Sequence, residues 1–495
     1  MLEKIPLYLG SYRNVDEVDL GTLGAVLQDV YVDELNNIRK RPGMSTIVDI
    51  STNAPCDGLY WWYKQSMAIY ISAQKIYKIT AAAGTNAEIT GTGTPEDATR
   101  AYFADFGTSL YAANGGKIIA IPSSGNASYL ADGDAPTTVS HVAVLNGKLI
   151  ALDTSLPATF EWSDADAPTS WTNNFASPNR IPDDLKALAV GNDRLWLWGS
   201  HSLEIWVDDG LTPFVPEYNG HWSDGGIIGK NAFTFVLGQF YWINQNRDLV
   251  RLNGAMIEPL PSQQSQSLSL YLQGFATISD AILEPYVIAG RHFVKMDFPT
   301  QDKTILYDII GNRWHPWGEW DGTDYKRLNA VGIAFADAWN IRLVGDKNSG
   351  LLHKIDPNYY TPGQGHVEDS NGDLILDSDD NPLIAGEDSS DIRMVIRPPV
   401  VSHGAFSKRK FSSKYTMTLK RFSTVSTDDI TVSLRYRNNG SSTWTTARNA
   451  SITQVDDTTF RATWRRNGAY YNRQLEFVIS DAAPILVSPE LEEEI

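Results

Sequence analysis

The sequence predicts an all-β chain: a β-propeller of six or seven blades followed by a smaller C-terminal β-sandwich. Three observations carry this expectation. Aromatic residues make up 11% of the 495 residues, with 15 Trp and 22 Tyr, and Gly, Asn and Asp turns punctuate β-branched and aromatic runs throughout. Amphipathic helical stretches are scarce, the best being Ser262 to Gly274 and a weaker candidate at Val26 to Ile38. Finally, one strand motif recurs at a nearly constant step along most of the chain.

The recurrent motif is an apolar strand, a tight polar turn and a second short strand. Its first halves are AIYIS at Ala68, SLYAA at Ser109, KLIAL at Lys148, RLWLW at Arg194, QFYWI at Gln239, HFVKM at His292 and NIRLV at Asn340. The partner strands begin at Lys75, Lys117, Thr159, Leu203, Leu249, Thr304 and Leu351. Aligned on Ile69, Leu110, Leu149, Leu195, Phe240, Phe293 and Ile341, the units step by about 45 residues, the length of a four-stranded propeller blade. Stacked sandwiches also place strands at short intervals, but they have no reason to hold that step over seven units.

Charge divides the chain further. The net charge is −18, from 59 acidic and 41 basic residues. Residues 356–391 hold ten acids and no Lys or Arg, whereas residues 393–495 hold fifteen basic residues against ten acids, a net of +5. The first 392 residues therefore carry −23. We read residues 1–44 as an N-terminal segment that packs on the C-terminal platform or closes the propeller. Residues 45–355 are the propeller, 356–392 an acidic hairpin insertion and 393–495 the sandwich. Strands beginning at Tyr415, Ile430, Phe460 and Gln474 alternate apolar and polar residues, as a half-buried antiparallel sheet requires.

Composition excludes several classes of function. A surface built to grip phosphate is at odds with the acidity of the first 392 residues. The single cysteine, Cys56, excludes an internal disulfide framework and a cysteine-based zinc site. Met1 to Gly10 lacks the apolar core of a signal peptide, and no apolar run approaches the roughly 20 residues of a membrane span. The eight histidines show no ligand spacing, and no G-x-S-x-G, H-E-x-x-H or phosphate-loop motif is present. The sequence thus designates no catalytic residue, no metal site and no cofactor.

Four segments carry a sharper alternative. Asp369, Asn371, Asp373 and Asp377 recur at the spacing of a calcium loop, but Leu374 stands where a turn glycine is needed and Asp380 replaces the bidentate Glu; Asn371-Gly372 reads better as a hairpin turn. The tryptophans of Gly311 to Trp320, Trp61-Trp62 and Trp196 to Trp198 could stack on sugars, yet packing between blades is their ordinary use. Asn438 to Trp444 resembles the Asp-box turn of sialidase-like propellers, with Asn in the aspartate position. The basic stretch Lys408 to Arg421, with Arg465-Arg466, suits an acidic partner or a solvated sheet face.

Taken in order, several segments resemble one family, the tail-hub or nozzle proteins of short-tailed phages, also called packaged-DNA stabilisation proteins. The segments are Asn36 to Met44, Phe160 to Trp171, Ile181 to Trp206, Asp224 to Leu260, Leu343 to Ile355 and Arg461 to Asp481. The insertion at 364–391 and the tail Glu490 to Ile495 depart from the pattern. The resemblance implies a non-enzymatic protein of the virion tail, assembled in the host cytoplasm as a hexameric ring below the portal and its adaptor. Tail fibres or tailspikes and a tail needle would be its other partners, and packaged double-stranded DNA would be held and then ejected through the ring without sequence-specific binding. The competing reading is a carbohydrate-binding or glycan-hydrolysing propeller that recognises a host receptor; a third is an intracellular scaffold.

Overall fold

The computed structural model describes residues 2–7, 26–82, 85–97, 99–178, 180–210, 214–261, 268–356, 392–403, 407–421, 430–481 and 484–495. Its first body is a ring of seven four-stranded antiparallel sheets. Each motif found in the sequence supplies the two middle strands of one blade. In the first blade, for example, Met67–Ser72 and Lys75–Ala81 lie between Gly58–Trp62 and Thr85–Glu88. The sixth runs Ile282–Ile288, Arg291–Phe298, Lys303–Asp308 and Arg313–Trp317.

The seventh blade is assembled from both ends of the ring. Val331–Ala336, Ile341–Gly345 and Leu351–Asp356 supply three strands, and Gly43–Asp49 supplies the fourth, pairing from Leu351↔Asp49 to Asp356↔Gly43. Val48 and Ile50 enter the same core cluster as Leu343, Leu352 and Tyr70, so this strand ties the last blade to the first. The inter-blade core is aromatic in places: Trp196 and Trp198 of the fourth blade pack on Phe240 and Trp242 of the fifth, with ring centroids 4.9–6.5 Å apart.

The second body is a β-sandwich. A seven-stranded sheet holds Leu2–Pro6, Val30–Val32, Ile38–Lys40, Lys410–Arg421, Ser451–Gln454, Thr459–Tyr470 and Ile485–Glu494. It faces a five-stranded sheet of Val26–Gln28, Met394–Arg397, Val432–Asn438, Arg448–Asn449 and Arg473–Ile479. One apolar cluster fills the space between them, running from Ile5, Leu27 and Val30 to Met417, Leu434, Phe477 and Leu491.

Two helical expectations meet different outcomes. Leu268–Gln273 is a short α-helix, with residues 262–267 outside the described set. Val26 to Ile38 is not helical: it forms strands Val26–Gln28 and Val30–Val32 and enters Ile38–Lys40. Its apolar residues match a helical period only because Asp29 breaks the strand, in a left-handed conformation at φ 57°. Among the described residues no helix is long and apolar enough to cross a membrane.

Candidate functional site

The features that bear on function are what lies on the propeller axis, how the two bodies are joined, and what the flagged side chains touch.

The axis is closed by side chains from opposite blades. Tyr102, on the first strand of the second blade, donates its hydroxyl to Asn231 Oδ1 at 3.0 Å, at the entrance to the fifth blade. His141 of the third blade donates Nε2–H to the Lys230 carbonyl at 3.0 Å and lies 4.1 Å from the Tyr102 ring. Phe233 stacks on Tyr102 at 6.0 Å. Burial pushes the His141 imidazole down to about 3, so it is neutral and fixed as a donor. A ring crossed by direct hydrogen bonds leaves no passage for a nucleic-acid duplex along its own axis.

Beside these contacts runs a chain of buried charges. Arg100 Nη1 meets Glu284 Oε1 at 2.8 Å, Lys295 Nζ meets Glu284 Oε2 at 3.0 Å, and Lys295 also pairs with Asp297. Thr304 donates to Asp297 Oδ1 at 2.5 Å. Glu284, Lys295 and Asp297 are fully buried. Burial alone would raise the Glu284 carboxyl; the charges of Lys295 and Arg100 outweigh it and hold the group at about 2. The Gly332 N–H donates to Glu284 Oε1 at 2.8 Å. That position needs glycine, because its φ is +65° and a Cβ would lie 2.9 Å from the Leu59 Cβ. The second, sixth and seventh blades thus converge on one carboxylate.

The joint between the bodies is equally polar and equally buried. Arg41 Nε meets Asp29 Oδ1 at 2.7 Å, Arg41 Nη2 donates to the Gly318 carbonyl at 3.0 Å, and Glu319 lies 3.6 Å away. Asp29 also accepts from Gly318 N–H at 2.9 Å, while Trp317 Nε1–H donates to the Val30 carbonyl at 2.8 Å. Three segments are locked here: the outermost strand of the sixth blade, the sandwich strands around Asp29, and the link into the closing strand.

The flagged tryptophans are interior except Trp320, which is half-buried. Trp314 packs on Tyr271 at 4.7 Å, Trp317 is sealed in the joint, and Trp320 lies against Tyr325 with the Arg393 guanidinium 4.2 Å over its ring. Trp62 is fully buried, and Trp61 packs on Trp339 at 4.7 Å. No sugar-stacking platform is made from them. Trp444, at the end of the Asp-box-like turn, covers the guanidiniums of Arg397, Arg435 and Arg437 at 4.9–5.2 Å. Two of those, Arg397 and Arg435, share an ion pair with the buried Glu476. In the basic stretch, Tyr415, Met417 and Leu419 point into the sandwich core, so Lys414 and Lys420 lie on the outer face of the seven-stranded sheet with Arg461 and Arg465. The loop of Asp369, Asn371, Asp373 and Asp377 lies outside the described residues; among those described, no group of three or more His, Cys, Asp or Glu is arranged to hold a metal.

The axial residues escaped sequence reasoning. A signal did exist in Arg291–Phe298 (RHFVKMDF), where Lys295 and Asp297 fall on the same face within the apolar run Phe293 to Phe298.

A family model described as the Bacteriophage P22 Gp10 β-propeller matches residues 22–360. No curated protein matches the chain in sequence. Similar solved structures include YCF48 of Cyanidioschyzon merolae, 9% identical over 64% of this chain and 99% of that one, TM-score 0.40. The N-terminal domain of Nup159 is 10% identical over 67% and 98%, TM-score 0.37. PorZ of Porphyromonas gingivalis, a surface component of the type-IX secretion system, is 10% identical over 74% and 44%, TM-score 0.39. At these identities and scores none of the three bears on function. The family match spans well over half of the chain and includes all seven blades, and it agrees with the resemblance carried by the sequence motifs: the chain belongs to the phage stabilisation family of the P22 Gp10 β-propeller and is a structural phage protein of the virion.

Proposed function

We propose that the protein is a non-enzymatic subunit of the tail nozzle, assembling as a hexameric ring beneath the portal and adaptor. Packaged DNA is held and then passed through the lumen between copies, and tail fibres or tailspikes and a needle dock on the same ring. Family membership carries this reading. The closed axis supports a lumen built between subunits, since a closed cyclic assembly can enclose a channel that no single propeller offers. Charge supports it as well: a wall drawn from the first 392 residues, whose net charge is −23, repels a polyanion, and DNA would slide past it without the counterion release that accompanies binding.

Size-exclusion chromatography with light scattering tests the proposal. The expected result is a ring-sized species, alone or on addition of the adaptor. A monomer that stays monomeric with the adaptor and binds or hydrolyses glycans would replace it with the receptor-recognition reading. A ring whose lumen is lined chiefly by Lys and Arg would overturn the sliding argument.

A further inference from the structure

A small cavity opens beside the axial charge chain, between the first strands of the first, second, sixth and seventh blades. Its volume is about 60 Å³, and its lining includes Asp57, Leu59, Arg100, Ala101, Glu284 and Ile333. This is room for a few waters or one small charged group.

One carboxylate oxygen here is unsatisfied. Asp57 is 8% exposed, and its Oδ2 is buried without a hydrogen-bond partner. The neighbouring charges already balance one another. Arg100 and Lys295 offset Glu284 and Asp297, both Glu284 oxygens are occupied, and the Cys56 thiol is kept protonated by burial. Asp57 therefore leaves the cavity one positive charge short, and Asp97 adds a second negative field from the segment before Arg100. An unpaired buried carboxylate is costly and is ordinarily neutralised by a partner or a proton. Consistently, burial and then the Asp97 charge raise its carboxyl to about 7.

We propose that this cavity receives the primary ammonium of a lysine side chain presented by a partner protein, with Asp57 Oδ2 accepting a hydrogen bond from it. One carboxylate is too few ligands for a metal ion, and no metal-binding group of three or more acids, His or Cys occurs among the described residues. Leu59, Ala101, Pro285 and Ile333 supply apolar wall for a methylene stem, and a compact ammonium suits the volume better than a planar guanidinium. This site stands on its own geometry and holds whether or not the chain forms the proposed ring.

The test uses the full chain and n-butylammonium as the probe, titrated by calorimetry at pH 8.5, with n-butanol, tetramethylammonium and K⁺ as controls. Saturable binding of butylammonium alone is expected, at least about tenfold weaker in Asp57→Asn and equally weakened for the wild type at pH 5.5, where the carboxyl is protonated. N-acetyl-lysine amide should then bind and the arginine analogue should not. The wild-type pH comparison keeps the test valid if Asp57→Asn fails to fold. Equal binding of K⁺ would reassign the cavity to a metal ion. Absence of saturation at pH 8.5, where the carboxyl is ionised, would mean that the cavity takes no ammonium, and binding unchanged at pH 5.5 would mean that Asp57 is not its acceptor; either result would overturn the proposal.

Discussion

Replacing Glu284 by glutamine should cost the propeller about 3 kcal/mol at pH 7. The carboxylate is fully buried and accepts from Arg100 at 2.8 Å, Lys295 at 3.0 Å and the Gly332 N–H at 2.8 Å. Holding it at about 2, against its ordinary 4.5, corresponds to about 3 kcal/mol at roughly 1.4 kcal/mol per tenfold in proton affinity. Breaking a buried pair from one side costs a similar amount, about 3–5 kcal/mol, because the cations left behind have no water to replace their partner. The folded-state value lies below the unfolded one, so this contribution is complete above about pH 4.5 and is lost as pH falls towards about 2. Urea unfolding followed by tryptophan fluorescence should therefore show a wide gap between wild type and E284Q at pH 7 and a much narrower one at pH 2.5. A gap under about 0.5 kcal/mol at pH 7, or one that does not shrink with acid, would refute the idea that this carboxylate organises three blades.

Two further changes probe the architecture. Arg41→Ala removes the cation that bridges Asp29, Gly318 and Glu319, and should weaken the joint by about 3–5 kcal/mol. Calorimetry should then resolve separate propeller and sandwich transitions, and a single unshifted transition would show that the joint is not what couples them. Val48→Asp places a carboxylate in the core where the closing strand meets Leu352; lost apolar burial plus an unpaired charge should exceed about 4 kcal/mol. Rapid proteolysis within the seventh blade is expected, and wild-type resistance would mean that the ring holds without its closing strand.

Much of the propeller was written in local pattern. RLWLW at Arg194 and QFYWI at Gln239 are recognisable as core strands because each fills its own blade, and a repeat of about 45 residues exposes the ring. The closing strand has no such signature: Gly43–Asp49 is set by pairing with residues three hundred positions later, and nothing in its neighbours announces that. Asp29 misled the reading of Val26 to Ile38 for a related reason. Its role is to accept from Arg41 and Gly318, and that tertiary demand imposes the bend that mimics a helical period. The axial site was hidden because Asp57, Arg100 and Glu284 are single charges in three separate blades, and only ring closure brings them together.

The pairing of Gly43–Asp49 with Leu351–Asp356 also orders events in time. On the ribosome the closing strand emerges first and must wait until the seventh blade has been made; at about 5–20 residues per second that is roughly 15–60 seconds. The sandwich waits longer still, because Val30 and Ile38 pack against Val487 and Leu491 near the far end of the chain. Throughout that interval two unpaired strand edges are available to nascent neighbours, and in a crowded infected cell the edge of one chain can capture the closing strand of another. Swapped closure is therefore the characteristic misassembly to look for when the protein is overproduced, and weak induction, which leaves fewer nascent neighbours, should favour the correctly closed ring.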